Sequence, residues 1–192
     1  RIGLIDRKIL QPKKNNLLKL VCFVPKLHVQ QVRDAIFEAG GGKLGNYDAC
    51  SFNAEGYGSF RPNNNAHPFV GEINKIHYED EIRIEVILPE YSQSKVTEAL
   101  IKVHPYEEPA YDFIPLKNVF NEVGAGLIGE LPKPESEDIF LSKLKQVFNV
   151  PVIRHTSLTG KMIQKIAVCG GSGSFLLSDA IKANADIFIS AD

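Results

Sequence analysis

LLKLVCFVP, residues 17–25, is an apolar stretch that ends in proline, and EIRIEVILPE, residues 81–90, has the same ending in a second apolar stretch. The first predicts a strand that stops at Pro25, because proline has no N–H for a ladder hydrogen bond. The second alternates apolar and polar residues with the period of a half-buried strand. The helical patterns that follow, HVQQVRDAIFEAGG and QSKVTEALIKV, each carry an apolar stripe.

An ungapped repeat relates these two halves. A shift of 64 positions carries Pro25 onto Pro89, Val32 onto Val96, Ala35-Ile36 onto Ala99-Leu100 and Tyr47-Asp48 onto Tyr111-Asp112. Each half is a strand, a proline, a helix and a second strand, and NYDACSFNAEGYGSFRP in the middle is typical of a hairpin with glycines at its turn. Two β-α-β halves predict a ferredoxin-like β-α-β-β-α-β sheet with its helices on one face.

The composition changes from Lys117 onward. KNVFNEVGAGLIGELPKPESED predicts tight turns, and SEDIFLSKLKQVFN predicts a helix with acids in its first turn. VPVIRHT, KIAVCG and ADIFISAD predict three short strands, with a helix at FLLSDAIKANA between the last two. A strand, a helix and a strand predict a crossover in which residues 166–169 and 187–190 are parallel.

These patterns predict a fold that is α/β plus α+β in three regions. Residues 1–16 are expected to be the remnant of a preceding α/β half followed by a polar linker, and residues 17–116 a ferredoxin-like domain. Residues 117–192 have too few elements for a complete doubly wound sheet, so they are expected to form a partial α/β domain. The chain begins with Arg1, not Met, which indicates a piece of a longer protein.

Bulk composition excludes several partners. The net charge is −1, from 22 basic and 23 acidic side chains, so nucleic acid is not an expected partner. No apolar run reaches the ~18 residues of a membrane span. The three cysteines are widely spaced, which favours free thiols in a reducing compartment, and we therefore expect a cytoplasmic location.

The stretch IAVCGGSGSF, residues 166–175, contains the first candidate site, the loop of Gly170, Gly171, Ser172, Gly173 and Ser174. Ligands of α/β sheets gather beyond the carboxyl ends of parallel strands, so this loop can hold an anion. It is neither a complete G-x-G-x-x-G nor a P-loop. A tight corner, with a serine as the N-cap of the next helix, is the alternative.

Two further sets of residues are candidates. Ser190 and Asp192 end the strand expected beside that loop, where an acid can orient a ligand or cap a turn. HPYEEPAYD is the densest polar and aromatic cluster, a candidate site of His104, Tyr106, Glu107 and Glu108 in which the histidine and the two acids can meet a cation. A rigid connector with the tyrosines packed on the sheet is the favoured interpretation of this cluster.

The order of these motifs resembles a known family. IAVCGGSGSFL and ADIFISAD, with GAGLIGELPKP upstream, resemble the second half of the NIF-three-like family (NGG-interacting factor three), some of whose bacterial members are labelled GTP cyclohydrolase I type 2. FVP, GNYDACSF, EGYGSFRP and HPYEEPAYD are similar to the CutA/PII-like domain inserted in the longer bacterial members.

The resemblance implies a homohexamer that holds a pair of divalent metals (zinc, manganese or iron) between two α/β halves. The family's ligands are a His-His motif, an Asp and a G-H-x-x-E motif, and none of these motifs occurs in this chain, so no metal ligand is expected here. The loop 170–174 would border the metal cleft, with Ser190 and Asp192 beside it.

The whole protein would then be a metal-dependent hydrolase of a nucleotide-like or phosphate-bearing substrate, and this chain alone would be inactive. The alternatives are a trimerising sensory or gating module, as PII-like proteins are, and a protein-interaction scaffold without catalysis.

Overall fold

A computed structural model describes residues 2–191. The chain divides into two compact units: Lys14–Val119, called here the central unit from its place in the sequence, and Arg1–Lys13 with Phe120–Asp192, called the flanking unit. The described residues form two four-stranded sheets and four α-helices. The mixed α/β class expected from the sequence is therefore confirmed.

The secondary structure elements follow one another in this order: β1 (Ile5–Lys14), β2 (Leu17–Pro25), α1 (Val29–Glu38), β3 (Phe52–Phe60), β4 (His77–Pro89), α2 (Gln93–Val103), β5 (Tyr111–Leu116), β6 (Val119–Ser136), α3 (Glu137–Phe148), β7 (Met162–Val168), α4 (Leu177–Lys182) and β8 (Ile187–Ile189). One short 3-10 turn precedes each of the helices α1, α2 and α4. None of the helices within residues 2–191 is long and apolar enough to cross a membrane.

The sheet of the central unit has the strand order β3-β4-β2-β5, and every neighbouring pair is antiparallel. The two strands of the sequence repeat, β2 and β4, pair at its centre, from Leu17 opposite Pro89 to Pro25 opposite Glu81. Because β4 is antiparallel to both β2 and β3, those two strands are parallel to each other, and α1 connects them across β4. The connection is a split β-α-β unit.

The core of the central unit lies between this sheet and its two helices. Alternate residues of β2, among them Leu20 and Cys22, pack with Ile84 of β4 and with Ile36 and Leu100 of the helices. Both helices contribute to this one cluster, so the period-2 and period-3.6 patterns of the sequence meet on one face of the sheet. Burial raises the pKa of the Cys22 thiol to about 12, which keeps it protonated and unreactive.

The prediction of a hairpin within residues 46–62 is wrong. Gly56 and Gly58 lie inside the single strand β3, which pairs with β4 from Phe52 opposite Glu85 to Phe60 opposite His77. The connection between β3 and β4 is made by the loop of residues 61–76. Gly58 is not needed for a turn. A Cβ at this position would collide with the side chain of Glu81, so the glycine makes room for that carboxylate.

The sheet of the flanking unit has the order β1-β6-β7-β8. β7 and β8 are parallel, with Ile166 opposite Ile187 and Val168 opposite Ile189, which confirms the predicted crossover. Ile166 packs in a cluster with Phe140 of α3, whereas its neighbour Ala167 packs with Ala180 of α4. Successive residues of a strand point to opposite faces, so the two helices cover opposite faces of this sheet.

The glycine-rich stretch after Lys117 forms the long strand β6, where the sequence predicted turns. Its glycines lie against β1: a Cβ on Gly124 would meet the carbonyl oxygen of Gln11 and lie 2.8 Å from the Cα of Pro12, and a Cβ on Gly129 would lie 2.8 Å from the carbonyl oxygen of Ile5. Glycine is used here for the close approach of two backbones. For the same reason the polar stretch before Asn15, expected to be a linker, belongs to β1 as far as Lys14.

The predicted strand VPVIRHT is absent, and residues 150–161 have no regular structure. The carboxylate of Glu137 ties this segment to the start of α3: it accepts hydrogen bonds from the backbone N–H of Thr159 at 3.0 Å and of Gly160 at 2.8 Å. These bonds lower the pKa of Glu137, the Thr159 N–H having the largest effect. The predicted helix at this position is confirmed as α3, with Glu137 and Asp138 in its first turn.

Candidate functional site

A cleft of about 860 Å³ opens in the central unit. Its walls come from β3, from the first part of the 61–76 loop, from β4 and from the segment after α2 that carries Tyr106, Glu107 and Glu108. This volume is within the range of small-molecule sites, which run from ~300 to ~1,000 Å³. Three of the four residues singled out in HPYEEPAYD therefore lie together on one cavity wall.

Aromatic rings line one side of the cleft. The ring centroid of Tyr106 lies 5.8 Å from that of Phe60 and 6.4 Å from that of Phe69, at interplanar angles of 60° and 51°. His77 also packs against Phe60, with the ring centroids 5.4 Å apart. Phe69 is 52% exposed, so it offers ring surface to the cleft and to solvent.

A buried carboxylate lies among these rings. Glu81 of β4 lines the cleft but is only 8% exposed. The hydroxyl of Tyr106 donates to its Oε1 at 2.9 Å. Burial, and then this hydrogen bond to Glu81, raise the pKa of the Tyr106 phenol, so the tyrosine keeps its proton and remains the donor. The missing Cβ of Gly58 provides the space that the carboxylate occupies.

The charges around the cleft are unequal. Its lining includes four acids and two arginines: Glu55, Glu81, Glu107, Glu108, Arg61 and Arg83. Arg83 is paired with Glu85 at 2.8 Å, and Glu85 also holds Lys19 at 2.7 Å. The Lys19 hydrogen bond is the main cause of the lowered pKa of Glu85. Since one arginine is engaged, the cleft presents an excess of negative charge.

His104 lies behind the cleft wall and does not line it. It is 7% exposed; its Nε2 lies 3.0 Å from the carbonyl oxygen of Phe23, and its Nδ1 accepts from the backbone N–H of Tyr106 at 3.1 Å. The carbonyl only accepts, so Nε2 carries the proton, and Nδ1 accepts, so it carries none and the imidazole is neutral. Burial is the main reason that the pKa of His104 is lowered. Both ring nitrogens are occupied, and His104 positions the segment that carries Tyr106.

Sequence reasoning missed the other parts of this cleft. Glu81 occupies a polar position in an alternating strand, which predicts an exposed side chain, and the tertiary structure buries it. Phe60 and Phe69 belong to a region with no clear period. The unusual glycine at position 58 of a strand was the available signal, because glycine inside a strand often marks a close approach by another group.

The glycine loop of the flanking unit lies at the carboxyl ends of β7 and β8, as predicted. The Cys169 N–H donates to the Ile189 carbonyl at 2.8 Å, and the Ala191 N–H donates to the Gly171 carbonyl at 3.1 Å. A Cβ at Gly173 would lie 2.9 Å from the Cβ of Ser190, so the loop and Ser190 are in close contact. Asp192 lies outside the described residues.

The loop makes its corner through Gly171, which has a φ of +78°. An added Cβ at Gly170 or Gly171 would meet no atom within 4 Å, so the outer side of the corner is open. Neither serine caps α4: Leu176 is its N-cap residue, and no side chain makes the capping bond. The anion-binding interpretation of this loop stays a prediction.

Residues 2–191 contain no group of three or more His, Cys, Asp or Glu side chains placed to hold a metal ion. The donors of the described part of the chain therefore do not fit a pair of divalent metals. The cysteines are dispersed as well: Cys22 and Cys169 are buried, Cys50 is half-buried, and all three are free thiols.

The fold defines a class of α/β protein in which an antiparallel split β-α-β unit interrupts, in sequence, a unit with a parallel crossover. A model described as Duf34/NIF3 (NGG1p interacting factor 3) matches residues 1–192, and the chain belongs to this DUF34/NIF3 family. The resemblance found in its motifs is thereby confirmed.

Its relatives include proteins named GTP cyclohydrolase 1 type 2 homolog. The one from Halalkalibacterium halodurans is 40% identical over 192 residues, which are 100% of this chain and 52% of the relative. The one from Bacillus subtilis is 36% identical over 192 residues, with the same coverage of 100% and 52%. The chain thus spans about half the length of the curated relatives it matches.

Solved structures agree with the family assignment. A Bacillus cereus protein related to NIF3 superimposes with a TM-score of 0.82 at 35% identity, over 100% of this chain and 50% of that one. A Staphylococcus aureus protein superimposes with a TM-score of 0.56 at 26% identity, over 100% and 48%.

Proposed function

We propose that this chain is part of a longer metal-dependent hydrolase that acts on a nucleotide-like or phosphate-bearing substrate in the cytoplasm, and that the chain alone is inactive. Family membership and the name of the relatives, GTP cyclohydrolase 1 type 2 homolog, support this proposal. The observation that carries it is the loop 170–174 at the carboxyl ends of two parallel strands, the edge at which α/β sheets bind their ligands.

In this proposal the chain supplies a border of the substrate site and no metal ligand. The loop 170–174 and Ser190, followed by Asp192, would lie beside a pair of divalent metals, zinc, manganese or iron. The ligands of that pair would come from parts of the longer protein, because residues 2–191 offer no suitable cluster.

Metal analysis of two purified proteins tests the proposal. The full-length protein is expected to contain about two divalent ions per subunit, as dinuclear hydrolases do, and the 192-residue chain almost none. Inductively coupled plasma mass spectrometry after dialysis gives both numbers. Two ions bound stoichiometrically by the chain alone would contradict the assignment, and so would a full-length protein that holds its metals but hydrolyses neither GTP nor simpler phosphate esters.

A second candidate function concerns the central unit. We infer that it is a ferredoxin-like, CutA/PII-like module that assembles the protein, senses a ligand and gates access to the hydrolase site. The split β-α-β sheet and the separate cleft of about 860 Å³ support this inference. A protein-interaction scaffold without catalysis remains the third candidate. The proposal includes neither a membrane nor a nucleic-acid partner.

The mass of the chain in solution tests the module. Light scattering after size exclusion is expected to give a trimer or hexamer of the 21.3 kDa chain. A clean monomer at high protein concentration would contradict the assembly function of the central unit and would leave the metal proposal untouched.

A further inference from the structure

We propose that the cleft of the central unit binds a small planar aromatic cation with paired N–H donors, such as an amidine or a protonated amino-heteroaromatic compound, and that the Glu81 carboxylate is its anchor. This inference rests on the sensory function proposed for the central unit and is independent of the hydrolase proposal.

The first argument is the unused oxygen of Glu81. A carboxylate has two oxygens and about four acceptor positions. Tyr106 donates to Oε1 at 2.9 Å, and no donor among residues 2–191 hydrogen-bonds to Oε2. The side chain is more than nine-tenths buried and lines the cavity. Oε2 itself is not sealed from the cleft, so a charged donor that enters can reach it and form a charge-assisted hydrogen bond.

The second argument is the sign of the electrostatic potential in the cleft. Glu107 and Glu108 lie on the same wall as Tyr106, and Glu55 lies on β3. Of the two arginines in the lining, Arg83 is held by Glu85, which leaves Arg61 against the four acids. The cleft therefore attracts a cation and repels a carboxylate or a phosphate. This preference separates it from the loop 170–174, for which an anion is predicted.

The third argument is the arrangement of the rings. Phe60 and Phe69 are tilted against Tyr106 at 60° and 51°, so none of these pairs is stacked face to face. Phe69 is 52% exposed, so its ring has free surface for a flat ligand or for a cation, which an aromatic face attracts when it lies within ~6 Å of the centroid. A planar cation can thus meet Glu81 with its N–H groups and the rings with its faces.

The fourth argument is that the groups are held in place before any ligand binds. Glu81 is on a central strand of the sheet, and His104 fixes the backbone of Tyr106. Glu107 also holds the loop, since its Oε2 accepts from the backbone N–H of His67 at 3.0 Å. A site that is ordered in advance loses less conformational entropy on binding.

Three isosteric probes test the chemistry on the complete 192-residue chain: benzamidine, benzamide and benzoate. They share one shape. Benzamidine carries a positive charge with paired N–H donors, benzamide carries no charge, and benzoate carries a negative charge. Chemical-shift titration is expected to show that benzamidine binds at least about tenfold more tightly than benzamide, which is ~1.4 kcal/mol, and that benzoate does not bind. The shifted amides are expected in β3, β4 and residues 105–110. Equal affinities for benzamidine and benzamide would overturn the proposal.

Variants locate the anchor. Glu81→Gln keeps the shape and the acceptor for Tyr106 but removes the charge, and we expect about a tenfold loss of benzamidine affinity. Glu98→Gln makes the same change in net charge on an exposed part of α2, outside the cleft lining, and is expected to bind as the unchanged chain does. Equal losses of benzamidine affinity in both variants would show a general electrostatic effect and would contradict the assignment of Glu81 as the anchor.

Gly58→Ala is a second route in case Glu81→Gln unfolds the protein. Its Cβ pushes the carboxylate out of position while every charge is retained. We expect a loss of benzamidine affinity similar to that of Glu81→Gln, and full affinity would overturn the proposal. The mass in solution is measured on the same samples: a trimer that binds no probe refutes this ligand and leaves the assembly function standing.

Discussion

Gly58 and Gly124 occupy similar positions in the two units, because each lies inside a strand and each leaves room for a neighbour. At Gly58 the neighbour is the end of the Glu81 side chain, whereas at Gly124 it is the backbone of β1 at Gln11 and Pro12. A side chain can move to another rotamer, but a paired strand cannot shift by itself. The first glycine serves a site, and the second serves the pairing of the sheet.

The same contrast separates the two candidate sites. The cleft of the central unit is built from side chains on regular elements, so its selectivity depends on Glu81, Tyr106 and the aromatic rings. The loop of the flanking unit offers a backbone corner at Gly171. Substitutions should therefore act on ligand binding in the central unit and mainly on stability in the flanking unit.

The largest effect is expected for Gly124→Ala. Its Cβ would overlap two backbone atoms of β1, and we expect the free energy of unfolding to fall by about 3 kcal/mol, at the upper end of overpacking costs. Gly58→Ala should cost less, about 1 to 2 kcal/mol, since the flexible Glu81 side chain can move but loses its hydrogen bond with Tyr106. Urea unfolding of both variants measures the difference. Equal costs would refute the distinction between the two glycines.

The next effect is expected for Gly171→Val. A φ of +78° is strained for a branched side chain, so we expect a loss of about 2 kcal/mol. Gly170→Ala is the matched control. Gly170 is adjacent to Gly171, an added Cβ there meets open space, and its φ is not positive, so the substitution should leave stability within about 0.5 kcal/mol. A Gly171→Val protein with unchanged thermal stability but a lost affinity for inorganic phosphate would favour anion binding over the structural corner.

A smaller effect is expected from the titration of His104. Its pKa is lowered in the folded chain, so the unfolded chain takes up the proton first as the pH falls. The stabilisation is complete above the ordinary pKa of ~6.5 and is lost as the pH drops through the folded value, by no more than about 1 kcal/mol per pH unit. Unfolding between pH 7 and pH 5 measures this slope, and His104→Gln should flatten it. A slope that persists in the variant would assign it to other groups.

The smallest effect is expected for Glu137→Gln, and it should be local. The amide is a weaker acceptor than the carboxylate for the N–H groups of Thr159 and Gly160. We expect faster hydrogen exchange of those two amides, with the unfolding midpoint unchanged. Since the pKa of Glu137 is lowered, the same loosening should appear in the unchanged chain as the pH falls through that value. Unaltered exchange in the variant would show that residues 150–161 are held by other contacts.

The central unit could be predicted well because its signals are local and repeated. Ile84 and Val86 alternate with polar neighbours, and Val32 and Ile36 are spaced as on a helix, so each element could be recognised from a short window. The strand β6 could not be recognised in this way. Its glycines are explained by β1, more than a hundred residues away in sequence, and no window around Gly124 contains that partner.

Periodicity, the repeat and the motif order were enough to establish the family, the class of fold and the parallel crossover, because these depend on which residues are apolar and how they are spaced. The cleft could be recognised only in the tertiary structure. The burial of Glu81 beside Tyr106 and over Gly58 arises from three separate segments that meet in space, and each of them looks ordinary when its own residues are considered in isolation. Packing between distant segments changes the environment of a side chain, and no property of the side chain itself records that change.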